Sequence, residues 1–402
     1  MILTSIVWKK LIHALWRNFQ ADFGALLKQF QRNQRLIENQ AGILHFEESL
    51  RTREIADRQL QEFRKAESRR QREVVRSWLA SPNVEVDQQS YSSVRNKDPN
   101  SGRWILSTSK FLSWFDPDFC STSLLWINGI PGAGTSTLAL SIRLCSFLLP
   151  GKTVLASVIV EEARKMKDAT VAFFYCKYMD LERCSFISVV RALLFQLLHQ
   201  NATLLPYIYD AASHSGETIL MKSSHAVELL DTALKSCNKV YIVLDGLDEC
   251  ERKQRKEISE TFIRIVESLP PESSDTIRCL FISQDDDAAR KDFATLPSLR
   301  IIADDNKADI TAYVRRWCGE LQVKFHLSIE RTEGLAERIT EESEGVYRRS
   351  IHHHYDANRN LGMFLFARLV LQNLLSQTTL ADFEREVGPK LFPSGIERLS
   401  QA

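Results

Sequence analysis

A buried strand that runs straight into a glycine-rich turn constrains this chain more than any other feature. Leu124, Leu125, Trp126 and Ile127 form an apolar run of strand length, Asn128 follows, and then comes Gly129-Ile130-Pro131-Gly132-Ala133-Gly134. Glycines at such a turn let the backbone bring several N–H groups up to phosphate oxygens, which is how a phosphate-binding loop begins. The pattern GxxxxGK[ST] requires a lysine directly after its second glycine, and here Thr135 stands in that place with Ser136 behind it. Gly151-Lys152-Thr153 supplies the missing end 17 residues further on, followed by a helical pattern through Val154, Leu155, Val158 and Ile159.

From Thr170 onward, strands and helices alternate as they do in a parallel α/β sheet. Val171–Cys176 reads as a short buried strand, Ser185–Leu198 as an amphipathic helix and Ala226–Ser236 as another helix. The most strand-like run, Lys239–Leu244, ends in Asp245-Gly246-Leu247-Asp248-Glu249. A carboxylate at the tip of a buried strand is costly unless a positive or polar group meets it. Beside a phosphate loop that group is naturally Mg²⁺, so Asp245 is expected to hold the ion while Asp248 and Glu249 polarise the attacking water. A further strand, Cys279–Ile282, is expected beside the acidic one and ends in Ser283-Gln284, with its tip placed to sense a γ-phosphate. An arginine would sense that charge more strongly than Gln284, so weak coupling to hydrolysis is expected. The three acids Asp285, Asp286 and Asp287 read as a solvated loop.

The remainder of the chain sets limits on its class. Lys and Arg number 52 against 51 Asp and Glu, which removes any overall bias toward nucleic acid or an anionic membrane. Eight cysteines are scattered without a CxxC pair, arguing for a reducing compartment and against a disulfide or zinc framework. The apolar start, Met1–Trp8, is too short to span a bilayer. A cytoplasmic protein without a membrane span is therefore expected.

Residues 1–79 read as a helical N-terminal segment, the remnant of a larger helical domain, made of one helix around Leu11–Phe30 and a second from His45 to Leu79. Its basic run, Arg64–Arg76, reads as a solvated helix face. Residues 80–118 read as a linker or surface loop up to 103, then an aromatic segment (Trp104, Phe111, Trp114, Phe115) docked onto the next domain. Residues 119–300 form the expected nucleotide domain. Residues 301–402 form a helical lid, with Asp309 opening a helix and Leu335–Ile339 and Met363–Leu375 within two more. His352, His353 and His354 cannot all face one metal, because neighbouring side chains point apart.

Five stretches together carry a resemblance: Trp104-Ile105-Leu106, Leu125–Gly134, Phe173-Phe174-Tyr175, Leu244–Glu249, and Met363-Phe364-Leu365-Phe366-Ala367. Over roughly residues 75–390 the chain resembles the NACHT-type NTPase module of fungal NLR-like STAND proteins, also described as a nephrocystin-type N-terminal module. The resemblance implies an α/β fold: a P-loop NTPase with a parallel sheet flanked by helices, preceded by an α-helical segment and followed by a helical lid. It further implies a signalling switch that binds ATP or ADP with Mg²⁺, hydrolyses slowly, self-associates through the NTPase module, and serves innate-immunity-like or heterokaryon-incompatibility-like signalling. Effector and sensor partners are not named by the sequence. Relatives usually carry sensor repeats such as ankyrin or WD40 units after the module; no such repeat is read before Ala402.

Carried onto this chain, the nucleotide-binding set is Gly129, Pro131, Gly132, Ala133, Gly134, Thr135, Ser136, Lys152, Thr153 and Gln284. The metal-binding set is Asp245 with Ser136 or Thr153. The family's loop would read Gly-Ile-Pro-Gly-Ala-Gly-Lys-Thr, which this chain yields if residues 135–151 are removed. Removing residues 346–362 likewise joins Gly345 to Met363, the family's usual run. Both segments have 17 residues, follow a glycine and end in one, as two retained introns translated into the chain would. Without residues 135–151, Lys152 neutralises the β- and γ-phosphates and Thr153 ligates Mg²⁺. With them, uncharged Thr135 takes the lysine's place, and weak ATP binding with little hydrolysis is expected. The alternatives are a housekeeping P-loop ATPase and a non-functional fragment.

Overall fold

A computed structural model of the chain describes residues 2–96, 99–129, 152–352 and 363–388. Two compact units divide it, Met1–Gln71 and Arg72–Ala402. Helix α1 (Ile2–Leu79) supplies the whole of the first unit and enters the second. Two helices were expected here, and one is found. Gly24 and Gly42 each cost only about 1 kcal/mol in a helix interior and no proline interrupts the run. Within the first unit Phe23, Phe30, Ile37 and Phe63 are exposed. The arginines from Arg64 to Arg76 are solvated as expected.

In the second unit, the last turns of α1 bury Val75, Trp78 and Leu79. The stretch expected as a linker or loop instead forms helix α2 (Val84–Arg95). Its buried face runs through Val84, Asp87, Gln88 and Tyr91, at helical spacing but half polar. Those polar groups are buried because each finds a partner. Asp87 pairs with Lys177 and Arg183, and Gln88 donates to the Ser157 carbonyl (3.2 Å) while accepting from the Tyr175 hydroxyl. An apolar periodicity cannot reveal such a helix.

The aromatic segment packs as expected. Helix α3 (Ser109–Phe115) buries Phe111 and Trp114 and sets Trp114 edge-on against Tyr241. Arg278, fully buried, donates to the carbonyls of Trp114 (2.8 Å) and Asp116 (2.6 Å) and lies over the Tyr241 ring. Arg278→Met keeps the bulk but leaves those carbonyls unpaired, so a loss of about 2 kcal/mol is expected. An unchanged urea midpoint would show that the clamp contributes nothing.

Five strands make one parallel sheet in the order β2-β3-β4-β1-β5: β1 (Leu124–Gly129), β2 (Thr170–Tyr175), β3 (Val240–Asp245), β4 (Ile277–Gln284) and β5 (Ser298–Arg300). The first four are buried along nearly their whole length, which explains their unbroken apolar runs. Between them run α4 (Lys152–Arg164), α5 (Phe186–Gln200), α6 (Leu205–His214), α7 (Ser223–Lys235), α8 (Arg252–Glu267) and α9 (Asp287–Asp292). Of these, α6, α8 and α9 were not foreseen, and β4 adjoins the acidic strand as expected.

After β5 come α10 (Ala303–Phe325), α11 (Ile329–His352), α12 (Met363–Ser376) and α13 (Leu380–Glu386). They enclose a core of their own, including Ile310, Val314, Leu321, Ile339, Val370, Leu374 and Phe383. Asp309 does not open a helix. It lies inside α10, which starts six residues earlier at Ala303, and its carboxylate accepts from the Gly102 N–H (2.8 Å). Of the second 17-residue segment, 346–352 continue α11 and the rest lies outside the described residues. Among the described residues no helix is long and apolar enough to cross a membrane, and the described cysteines are free thiols.

Candidate functional site

The strands end nearly level with one another. Register sets Gly129 opposite Gln284, Asp245 opposite both Ile282 and Tyr175, and Arg300 opposite Asn128. One strand, β4, separates β1 from β3, and Asp245 lies two residues lower along it than Gly129, so the two tips stand about 12 Å apart across a shared rim. In an open parallel sheet the crevice outside the carboxyl ends of the strands is where ligands bind.

Helix α4 opens at that rim with Lys152 and Thr153. By sequence spacing the lysine is 17 positions late. In space it stands at the end of β1, where the Lys152 ammonium donates to the Gly129 carbonyl at 3.0 Å. That carbonyl also accepts from the Asp285 N–H at 3.0 Å, fixing the end of β1 between the start of α4 and the chain after β4. Lys152 is only 1 % exposed. Burial pulls its ammonium down to about 8, against the opposing pull of Asp248, Asp245, Asp285 and Asp286. An ammonium retained in such a place has other N–H donors to satisfy, and oxygen anions suit them.

Opposite it, Asp245 is 3 % exposed. Burial pushes its carboxyl up to about 7, while the nearby Thr153 hydroxyl, Lys152 ammonium and Gly246 backbone pull the other way. Among the described residues no cation lies within ion-pairing distance of it, and no group of three or more histidine, cysteine, aspartate or glutamate side chains is arranged to hold a metal. One carboxylate and one hydroxyl, both oxygen donors, fit Mg²⁺, which takes few protein ligands and completes its shell with water and phosphate. The residues present therefore fit a magnesium-bound polyphosphate, with Asp245 and Thr153 on the ion and Lys152 on the phosphates.

Glycine is required at position 246. Its φ is +76°, and a Cβ there would lie 2.9 Å from the Cys176 carbonyl. Through this turn the acidic strand is laced to its neighbours. Gly246 N–H donates to the Ile282 carbonyl (3.1 Å), and Cys176 N–H to the Asp245 carbonyl (2.8 Å).

The two candidate catalytic acids are both tethered. Asp248 accepts from the Gln284 N–H at 2.8 Å, and Glu249 from the Tyr178 N–H at 2.7 Å. Burial first, then the nearby Asp248 and Asp245, push the Glu249 carboxyl up to about 8. Gln284 thus stands at the rim as expected, joined to the acidic turn through its backbone.

Of the three acids after β4, Asp287 is solvated as expected, but Asp285 and Asp286 are not simply solvated. Asp286 caps α9 through the Ala289 N–H (2.6 Å) and pairs with Arg255 (3.2 Å). Asp285, 7 % exposed on its side chain, takes a two-pronged contact from Arg290 (2.7 and 3.1 Å) and a longer one from Arg300 (3.4 Å). This cluster escaped the sequence reading. Its partners come from a six-residue helix and a three-residue strand, too short for periodicity to mark. Pro131, Gly132, Ala133, Gly134, Thr135 and Ser136 lie outside the described residues, as do His353 and His354.

A parallel sheet with helices on its flanks, a lysine-bearing helix start and an acidic strand tip on one rim together make this a P-loop NTPase fold. A family profile described as "Nephrocystin 3, N-terminal" matches residues 100–143 and 150–284. The break in that match falls inside the interval 135–151. Vegetative incompatibility protein HET-E-1 of Podospora anserina is 28% identical over 153 residues. That similarity covers 37% of this chain and 10% of that protein. The region matched by the family profile, less than half of the chain, is similar to a NACHT-type module.

Proposed function

We propose that this module binds ATP or ADP with Mg²⁺ at the rim formed by Gly129, Lys152, Thr153, Asp245 and Gln284, and works as a STAND-type signalling switch. One observation carries the reading. The first turn of α4 lies beside both tips, with the Lys152 ammonium on the Gly129 carbonyl and Thr153 near enough to Asp245 to draw its carboxyl down. Lys152 would meet the β- and γ-phosphates, and Thr153 and Asp245 would hold the metal; a bound Mg²⁺ would neutralise the phosphate charge. Asp248 and Glu249 border the place of the attacking water, each with one oxygen already engaged. Tethered acids and a glutamine at position 284 support slow turnover, with exchange and domain movement as the output. A role in incompatibility-like signalling is suggested by the similarity to a vegetative incompatibility protein, self-association through the module by the resemblance to the family, and a cytoplasmic location by cysteines scattered without a disulfide or zinc pattern.

The glycine amides of residues 132–134 should grip phosphate best when Lys152 follows them directly. Lys152 already stands at the rim in the full chain, so deleting residues 135–151 adds no charge but brings the glycine amides up to the phosphates, and MgATP affinity is expected to rise roughly tenfold, the size of one backbone N–H bond to a charged group. Calorimetric titration of both forms checks this, and equal affinities would reject it. Turnover far below the roughly 10 s⁻¹ enzyme median is expected of both forms. A rate near that median would favour an ATPase that works by turnover. RNA sequencing that runs through both 17-residue segments, with no shorter transcript, would remove the retained-intron explanation.

A further inference from the structure

We propose that Arg300, at the tip of edge strand β5, is a phosphate-contacting residue of this site and supplies the charge-sensing arginine that position 284 lacks. The inference rests on the nucleotide reading above and assigns a further residue to the same site.

Arg300 stands opposite Asn128, one residue before the end of β1, so its backbone lies on the rim beside the start of the phosphate loop. The Ile301 N–H donates to the Asn128 carbonyl at 2.7 Å, which fixes that placement. Its guanidinium reaches across β1 toward Asp285, whose N–H shares the Gly129 carbonyl with the Lys152 ammonium. Asp285 and Lys152 are close enough that each charge acts on the other. Arg300, Asp285 and Lys152 therefore form one cluster around the end of β1.

Within it the two arginines are not equivalent. Arg290 holds Asp285 in a fork, Nε on one oxygen and a terminal nitrogen on the other. Such a bidentate pair satisfies most of what the carboxylate can accept. Arg300 is left with a single 3.4 Å approach, makes no hydrogen bond through its side chain among the described residues, and is 51% exposed. A planar fork with five donors, set on a rigid strand and only loosely engaged, matches a tetrahedral phosphate better than a carboxylate already taken. If Arg300 were only a surface partner of Asp285, its removal would leave ligand binding unchanged and shift Tm little.

The test uses the full chain in three variants, Arg300→Gln, Arg300→Lys and Lys152→Met, titrated with MgATP and MgADP up to millimolar concentration. Thermal unfolding is followed with and without nucleotide. Arg300→Gln is expected to weaken MgATP binding roughly tenfold, with a smaller loss for MgADP and a smaller MgATP-induced rise in Tm. Its Tm without nucleotide should stay close to that of the parent. Arg300→Lys should recover part of the loss, because the charge returns without the fork. If Lys152→Met weakens binding and Arg300→Gln does not, the Arg300 assignment is overturned while the site stands. If Lys152→Met also leaves binding unchanged, or the parent binds no nucleotide, the site reading falls and Arg300 falls with it.

Discussion

Lys152→Met is expected to lower MgATP affinity about a hundredfold while leaving the nucleotide-free protein at least as stable as the parent. Binding falls because a positioned ammonium contributes up to about 3 kcal/mol to a phosphate anion, and the acids Asp245, Asp248 and Asp285 remain nearby to repel that anion. Stability does not fall with it. The folded protein holds this ammonium against a burial cost that its surroundings do not fully offset, as the downward shift to about 8 records. Replacing a poorly compensated buried charge with an apolar side chain of similar volume is often neutral or stabilising. Among the described residues the only hydrogen bond given up is to the Gly129 carbonyl, which keeps the Asp285 N–H. Calorimetric titration together with a urea midpoint separates the two effects. Lost stability with retained affinity would make Lys152 a structural residue and remove the central support for the nucleotide reading.

The strands and the acidic tip were legible because burial on both faces forces unbroken apolar runs, and a carboxylate ending such a run stands out. Lys152 was legible as a residue type, but its place was not. Counting along the chain puts it 17 positions late, whereas the positions of β1 and α4 in space bring it back to Gly129. Helix α2 was hidden for the opposite reason: its inward face uses Asp87 and Gln88, whose partners Lys177, Arg183, Ser157 and Tyr175 lie 69 to 96 residues away. Polar burial of that kind depends on tertiary partners. The Asp285–Arg290–Arg300 cluster was hidden likewise, since a three-residue strand carries too little pattern to be placed beside β1 in advance. Gly246 was visible as a letter in the acidic run; the approach of the Cys176 carbonyl that makes it necessary was not.

That approach sets the largest stability effect foreseen for a single substitution. Gly246→Ala is expected to destabilise the module by about 3 kcal/mol, from a left-handed conformation that costs an L-residue about 1–2 kcal/mol and a contact that must open by several tenths of an ångström. The Cβ would meet a main-chain oxygen at 2.9 Å, and the Cys176 carbonyl cannot rotate aside as a side chain could. Relief can come only by moving the tip of β2 away from β3, or by turning the acidic loop. Either movement strains the bond from the Cys176 N–H to the Asp245 carbonyl. A displaced Asp245 loses its alignment with Thr153, so nucleotide affinity should fall as well, in a residue that carries no functional group. Urea unfolding and a MgATP titration on the same preparation measure both. A variant as stable as the parent would show that β2 and the acidic turn do not approach this closely, and the alignment of Asp245 with the first turn of α4 would lose its structural cause.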